Sequence, residues 1–504
     1  MIPAYVDLSE ASGLLVALLP EVFLTGWVLL LLLVVAWQHR SAEDQQLVGR
    51  LSLAGLVVTL ALVILYWLRG PEPEGLELMI ALDGFRYATA AVFLIGAILA
   101  VAISMHYLRR ESILVPEYYL LILLATIGMM FMGGGADLVV IFLGLELMSV
   151  AVYVLAGINR RSIFAAEAAL KYFLLGAFAS AFLLYGIALI YGATGTTNLT
   201  LVYVQISAMG LQTDVMLIAG IAMLLVGFGF KVAAVPFHMW TPDVYDGAPT
   251  PVTAFMAAAV KAAAFAALMR ILVQALAPMD SVWTEAVWWL AAITMVVGNV
   301  IALAQRRLKR MLAYSSIGHA GYLLVAVTSG TDLGTAALLY YVLVYTLMTV
   351  GAFAILTVVG RGGERDTRID DFNGLGSRRP WLAFAMTVFM LSLLGFPGTA
   401  GFIGKWYILS AAVQADQFKL AVVLVGASIL SAGYYLPVIM AMYMKDPVSD
   451  TAHVETRAVG AVRWVIGVTA MLLLLFGVWP NAVLDLAKEE GRQLRPAVLV
   501  TVSR

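Results

Sequence analysis

The apolar positions of this chain fall into long unbroken runs, with polar residues collected in the short stretches between them. Run after run reaches about 20 residues, the length that crosses a bilayer as a helix. A barrel would instead show short segments alternating apolar and polar. The pattern predicts an all-α polytopic membrane protein with about 14 transmembrane helices. They fall near residues 13–37, 47–68, 85–107, 117–133, 137–157, 166–192, 214–240, 250–275, 283–304, 310–328, 334–359, 380–415, 419–444 and 459–479.

Two of these spans carry a break. In the seventh, GFGFKVAAVPFHMWTPDVYDGAPTPVT runs from Gly227 to Thr253. Pro236 has no N–H and clashes with the carbonyl of Val232, so the helix kinks or ends there. Freed carbonyls in hydrocarbon must be satisfied by protein or water. With Lys231 and His238 beside it, the break predicts a wet cavity. In the twelfth span, Pro397 sits among Gly395, Gly398, Gly401 and Gly404, with Lys405 following. Spans 7 and 12 are five apart and so cross in opposite directions. That predicts two five-helix inverted repeats, each with a broken helix, a pattern that points to an ion path near the midplane. The implied division is 1–116 for helices 1–3, 117–275 and 283–444 for the two units, and 445–504 for helix 14 and a short tail. Two unrelated proline kinks are the plainer alternative.

Orientation follows from Lys and Arg in the short loops. The loops after spans 1, 3, 5, 9, 11 and 13 hold Arg40, Arg50, Arg109, Arg110, Arg160, Arg161, the Arg306–Arg310 group, Arg361 to Arg379, Lys445 and Arg457. The opposite loops hold little beyond Arg69, Arg86 and Lys419; the exceptions are the tail, with Lys488, Arg492, Arg495 and Arg504, and the loop after span 7, which has no basic residue. Both termini are therefore expected outside, which is periplasmic if the host is a bacterium. The first apolar run has no basic residue before it, so it does not read as a cleavable signal.

Composition narrows the chemistry. The chain of 504 residues is 62% hydrophobic and 12% charged, against about 45–50% and about 25% in soluble domains. Its net charge of −1 argues against a nucleic-acid partner. There is no cysteine, which excludes disulfides and thiolate-bound zinc or iron–sulfur clusters. The five histidines are scattered. GTAGFIGKW near Lys405 mimics a phosphate loop, but its spacing fails and no Ser or Thr follows the Lys.

What remains is a set of charges inside the spans: Glu146, Lys171, Lys231, Lys261, His319 and Lys405, with His238 at the first break. A charge at the bilayer centre costs about 2.5–3.5 kcal/mol on insertion scales, so such residues pair or do work. The structural readings are an ion-pair role for Glu146, snorkelling for Lys171 and Arg270 near span ends, and satisfied core histidines. Asp137, Asp214 and Asp243 read as interfacial. The chemical reading is proton transfer. A desolvated lysine gives up its proton more readily than one in water, and a nearby carboxylate restores the charged form. Glu146, Lys231, Lys261, His319 and Lys405 supply one such group on each of five helices.

These motifs resemble the antiporter-like membrane subunits of respiratory complex I, the proton-pumping NADH:quinone oxidoreductase. The resemblance rests on KVAAVPFHMWTPDVYDGAPTPVTAF (Lys231 to Phe255), EAALKYFLLGAFAS (Glu167 to Ser180), KRMLAYSSIGHAGYLL (Lys309 to Leu324) and GTAGFIGKWYIL (Gly398 to Leu409). The wording TPDVYDGAPTPVTAF is similar to subunit N rather than L or M. The resemblance implies that Glu146 and Lys231 form a switchable pair and that Lys261 is the connecting lysine. His238 and His319 would be relays and Lys405 would stand near the exit. It implies no cofactor on this chain, with FMN, iron–sulfur clusters and quinone on other subunits. The expected partners are the neighbours M and K, the peripheral redox arm and lipid. A subunit of a multi-subunit cation/proton antiporter, an ion-pumping dehydrogenase with another donor, and a non-pumping scaffold are the rival readings. The tail after Pro480 is too short for a long lateral helix, and the Gly360–Arg379 loop is unusually basic and glycine-rich.

Overall fold

The computed structural model describes residues 15–37, 41–69, 79–359, 367–447 and 460–494. The start of span 1, Arg40, residues 360–366 of the basic loop, Arg457, Arg495 and Arg504 lie outside them.

Among the described residues, thirteen helices are long and apolar enough to cross a bilayer. A fourteenth crossing is built from two half-helices. In order they are α1 Leu19–Trp37, α2 Ala42–Arg69, α3 Gly84–Arg110, α4 Glu117–Gly134, α5 Leu138–Ala156, α6 Ile163–Thr194 and α7 Val215–Val232. Then come α8 Thr250–Ala275, α9 Asp280–Leu303, α10 Leu308–Ser329, α11 Asp332–Val359, α12a Pro380–Leu394, α12b Ala400–Gln414, α13 Phe418–Met444 and α14 Gly460–Val478. No strand is present among the described residues. Each crossing corresponds to one predicted from the sequence. Four short helices among the described residues were not foreseen: Leu199–Met209, Thr241–Gly247, Leu375–Arg378 and the amphipathic Asn481–Gln493.

Both breaks are present. α7 stops at Val232, where Ala233 turns left-handed (φ 62°), and helix resumes at Thr241. The sequence placed the break at Pro236; the backbone leaves the helix earlier, before the proline that cannot continue it. α12 is interrupted from Gly395 to Thr399, with Gly395 at φ 85° and Gly398 at φ 87°. A side chain is strained at such angles, so glycine is what allows this turn.

The helices sort by burial. α8, α10 and α11 are enclosed almost throughout, whereas α1, α2, α6, α13 and α14 leave their apolar outer faces uncovered, as lipid-facing helices do. Lys261 and His319 stand on two of the enclosed helices, so they are central by construction. Close pairing inside the bundle uses glycine. A Cβ on Gly128 would lie 2.6 Å from the carbonyl oxygen of Gly144, and one on Gly298 would lie 2.7 Å from the nitrogen of Gly318. Small residues let α4 meet α5, and α9 meet α10, backbone to backbone.

One detail recurs. Asp137 pairs with Asn198 through Leu138 N to Thr197 O (2.9 Å) and Leu199 N to Ala136 O (2.8 Å). Arg307 pairs with Arg368 through Leu308 N to Thr367 O (2.9 Å) and Ile369 N to Arg306 O (3.2 Å). The two bridges join the start of the second helix of each predicted unit to the loop after the third, at the same sequence separation.

Candidate proton-transfer site

The site is assembled from the residues flanking the two breaks. Lys231 occupies the last turn of α7 and is buried. Its Nζ donates to Ser149 Oγ at 2.7 Å and Tyr153 Oη at 3.1 Å, both on α5. The ammonium also lies over three rings, Tyr153 at 5.1 Å, Tyr172 at 5.7 Å and Phe230 at 5.8 Å. Such faces stabilise a cation, more so when desolvated. Trp240 closes the box, stacked on Tyr172 at 4.3 Å, with its Nε1 donating at 3.0 Å to the carbonyl of Phe230 in the last turn of α7.

Glu146, one turn before Ser149 on α5, accepts a short hydrogen bond from Ser180 on α6. It is half-buried. The Glu146–Lys231 ion pair expected from the sequence is not formed: among the described residues no ion pair joins them. Hydroxyls take both places, Ser180 at the carboxylate and Ser149 with Tyr153 at the ammonium. Glu146, Ser149 and Tyr153 share one face of α5, and Lys231 meets that face at the height of Ser149 and Tyr153, beyond the carboxylate.

Lys261 follows a π-helical turn, Met256–Val260, inside α8. Its Nζ donates to Ser316 O at 2.7 Å and, in a shorter bond, to Ser316 Oγ on α10. π turns inside α-helices are frequent at functional sites. One turn on, His319 is held at both nitrogens: Nδ1 lies 2.7 Å from Tyr341 Oη and Nε2 3.0 Å from Tyr435 Oη. Tyr435 in turn meets Ser315 through a short contact. A neutral imidazole has one donor and one acceptor, so one phenol donates to the ring and the other accepts from it.

Lys405, in α12b, reaches back to the end of α12a. Nζ donates to Leu393 O at 3.0 Å and Leu394 O at 2.9 Å, and sits 4.6 Å from the centre of the Tyr322 ring. A cation at a helix C-terminus is favoured by the exposed carbonyls there. A Cβ on Gly395 would lie 2.9 Å from Lys405 Cδ, so this glycine also makes room for the lysine stem. Pro397 lines an apolar groove beside Lys405 that opens between α12b and α13.

His238 and Lys171 stand apart from this row. His238 is half-buried in the first break, where its Nδ1 and the neighbouring Thr241 Oγ1 have no hydrogen-bond partner among the described residues. Lys171 is not buried: it pairs with Glu167 and Asp243, each at 2.7 Å, and Asp243 also takes Arg310 at 2.9 Å. This is an interfacial network, and its side chains are 31–53% exposed. Arg270, expected to snorkel, is instead fully enclosed and bidentate to Asp83 at 2.6 and 2.8 Å. The end of α8 is covered by α3 and α4, which enclose the guanidinium. Asp137 and Asp214 cap α5 and α7 by accepting from Val139 N and Leu217 N.

Among the described residues no group of three His, Asp or Glu side chains is placed to hold a metal ion. The residues that sequence reasoning missed are the neutral partners, Ser149, Tyr153, Ser180, Ser316, Tyr341 and Tyr435, and the buried pair Arg86–Glu21 at 2.8 Å. A weak signal existed for Ser149 and Tyr153, which follow Glu146 at helical spacing; nothing local marked the others.

Residues 135–431 match the family described as NADH:quinone oxidoreductase/Mrp antiporter, TM. Over 97% of its length the chain is 49% identical to NADH-quinone oxidoreductase subunit N of Gemmatimonas aurantiaca, covering 96% of that protein. The chain belongs to the NADH-quinone oxidoreductase subunit N family. Subunit N of Trichlorobacter lovleyi is 47% identical over 94% of this chain and 96% of its own. A chain of respiratory complex I from Thermus thermophilus with bound aureothin superposes with a TM-score of 0.79 at 37% identity, covering 93% of this chain and 99% of that one. A chain of the Mrp complex from Dietzia sp. DQ12-45-1b shares the fold, with a TM-score of 0.83 at 22% identity and coverage of 95% and 97%. The subunit N family is thus found on an antiporter-like scaffold.

Proposed function

We propose that this chain is the proton-translocating membrane subunit N of a proton-pumping NADH:quinone oxidoreductase. Protons move along Glu146, Lys231, Lys261, His319 and Lys405. The observation that carries this reading is that Lys231, Lys261 and Lys405 are all buried and, among the described residues, none is held by a carboxylate. An ionisable side chain inside a membrane is by default a candidate for an ion or proton path. A lysine held by hydroxyls and carbonyls can give up its proton without leaving an unpaired anion behind. Rotation of Ser149 and Tyr153 hydroxyls passes a proton at Lys231 Nζ, and tautomer exchange of His319 passes one between Tyr341 and Tyr435. The unpartnered polar atoms of His238 and Thr241 mark where water enters the first break. Lys171 orients the segment after that break through Asp243.

The electron-transfer chemistry, with FMN, iron–sulfur clusters and quinone, belongs to other subunits. The neighbours in the membrane are subunits M and K, joined through them to the peripheral redox arm. The host membrane is the bacterial inner membrane, with both termini periplasmic. Units 117–275 and 283–444 are inverted repeats; the matching backbone bridges at Asp137–Asn198 and Arg307–Arg368 support this. Because the chain has no cysteine, single cysteines report topology cleanly. Gln212→Cys should label from the outer face and Ser377→Cys only from the inner face; labelling from one common side would sink the inverted arrangement.

Purification from native membrane separates this reading from a cation/proton antiporter. Co-purifying flavin and iron–sulfur absorbance is expected, and its absence from an intact complex would count against the assignment. Glu146→Gln keeps the hydrogen bond from Ser180 and removes the charge. It should lower NADH-driven quinone reduction and membrane potential by roughly ten-fold at normal subunit abundance. Wild-type values in both would make Glu146 purely structural.

A further inference from the structure

We propose that the ion pair of the enclosed Arg270 with the partly exposed Asp83 is a positioning pair for proton transfer, fixing the height and rotation of Lys261 against Ser316. The inference rests on the reading of Lys261 as a proton carrier.

On α8, Ala257 to Ala259, Ala262 to Ala264, Ala266 and Ala267 surround Lys261. Helices keep their register when the side-chain ridges of one enter the grooves of another. Methyl groups make shallow ridges, so an alanine-rich helix offers little resistance to sliding or turning. Its register must come from elsewhere, and two polar anchors supply it. One is Lys261 itself, on Ser316. The other is Arg270, nine residues later, about 13 Å along the axis.

Arg270 is held on every side. Nη1 and Nη2 donate to the two oxygens of Asp83 at 2.6 and 2.8 Å, and Nε donates to Gly133 O at 3.0 Å. The guanidinium lies 5.1 Å from the centre of the Phe85 ring. Asp83 is fixed in turn as the N-cap of α3, accepting from Arg86 N at 2.8 Å. The next residue, Gly84, donates to Gln493 Oε1 of the C-terminal amphipathic helix at 2.9 Å. The anchor therefore ties α8 to α3, α4 and the outer end of the chain.

The winding of α8 shows why this matters. Regular α-helix spans only Lys261–Arg270 between the anchors; π turns lie directly before and after it, at Met256–Val260 and Ile271–Ala275. Rewinding by one residue would turn Lys261 by about 100° and take it off Ser316. A buried ion pair is weak evidence for stability, since apolar replacements are often tolerated, and fixing a register is the best-attested use of such groups. Here the register is that of a proton-carrying lysine.

The test uses the whole complex. Arg270→Lys keeps the charge and loses the two-pronged bond; Asp83→Asn keeps the helix cap and loses the charge. The double variant Asp83→Leu/Arg270→Met removes both charges and decides the matter if a single variant fails to assemble. Assembled abundance, NADH:quinone turnover, protons moved per NADH and the pH profile of turnover are measured, with Lys261→Ala alongside. Assembled variants should lose on the order of ten-fold in turnover and show a displaced pH profile, because Lys261 no longer sits on Ser316. Assembled variants with the wild-type pH profile and proton ratio, beside a stalled Lys261→Ala, would make the pair structural only. A wild-type Lys261→Ala would overturn the proton-carrier reading itself, and this inference with it.

Discussion

Lys405→Met should leave the complex assembled and stall it. Methionine keeps the length and apolar bulk of the lysine stem, which fills the space over Gly395. It removes the ammonium proposed above to hold and release the proton. Turnover should fall by roughly a hundred-fold, the low end of what a positioned proton-transfer group contributes, because a tightly coupled pump stops when one path is blocked. Leu393 and Leu394 also lose their shared donor, which costs about 1–3 kcal/mol, so abundance must be measured beside NADH-driven quinone reduction and potential formation. Lys405→Arg should impair turnover as well, since guanidinium hardly deprotonates. Lys405→Glu sets a carboxyl against two carbonyl oxygens and fits there only when protonated, so it should retain part of the activity. If Met and Arg variants pump normally at wild-type abundance, Lys405 is off the path.

Lys231→Met should have an effect of similar size, again roughly a hundred-fold. The aromatic walls of Tyr153, Tyr172 and Phe230 accept a thioether readily, so the box should stay folded. The hydroxyls of Ser149 and Tyr153 lose the ammonium and with it the link from α5 to α7. Tyr153→Phe is the milder probe: it removes one of the two hydroxyl contacts, leaves Ser149, and should cost less than ten-fold. Equal losses in Lys231→Met and Tyr153→Phe would mean that the phenol, and not the lysine, carries the step. Unimpaired pumping by Lys231→Met would remove the first break from the mechanism.

Most of the architecture was legible because it follows from a one-dimensional rule. A run of about 20 apolar residues has one stable form in a bilayer, and proline has no N–H wherever it stands. So the order of crossings and the two interruptions could be read directly. The neighbourhood of the charges could not. Lys261 appears in the sequence as a lysine among alanines; that it rests on Ser316 depends on how α8 and α10 lie against each other. Arg270 and Lys171 look alike on paper, each a long cation near a span end. One is fully enclosed beside α3 and α4 and paired with Asp83, and the other is at an interface with Glu167 and Asp243. Only neighbouring helices make that difference.

The sequence by itself determined that this chain is a bundle of membrane helices, where two of them break, and which titratable side chains stand inside its spans. Hydrophobic length, proline chemistry and the cost of burying charge all act residue by residue. The tertiary structure decided what each of those side chains is bonded to. Glu146 meets Ser180 and not Lys231, His319 stands between Tyr341 and Tyr435, and Lys405 takes the carbonyls of the turn before it. Those partners come from other helices, and a hydrogen bond forms only within about 3 Å, a distance that packing alone sets.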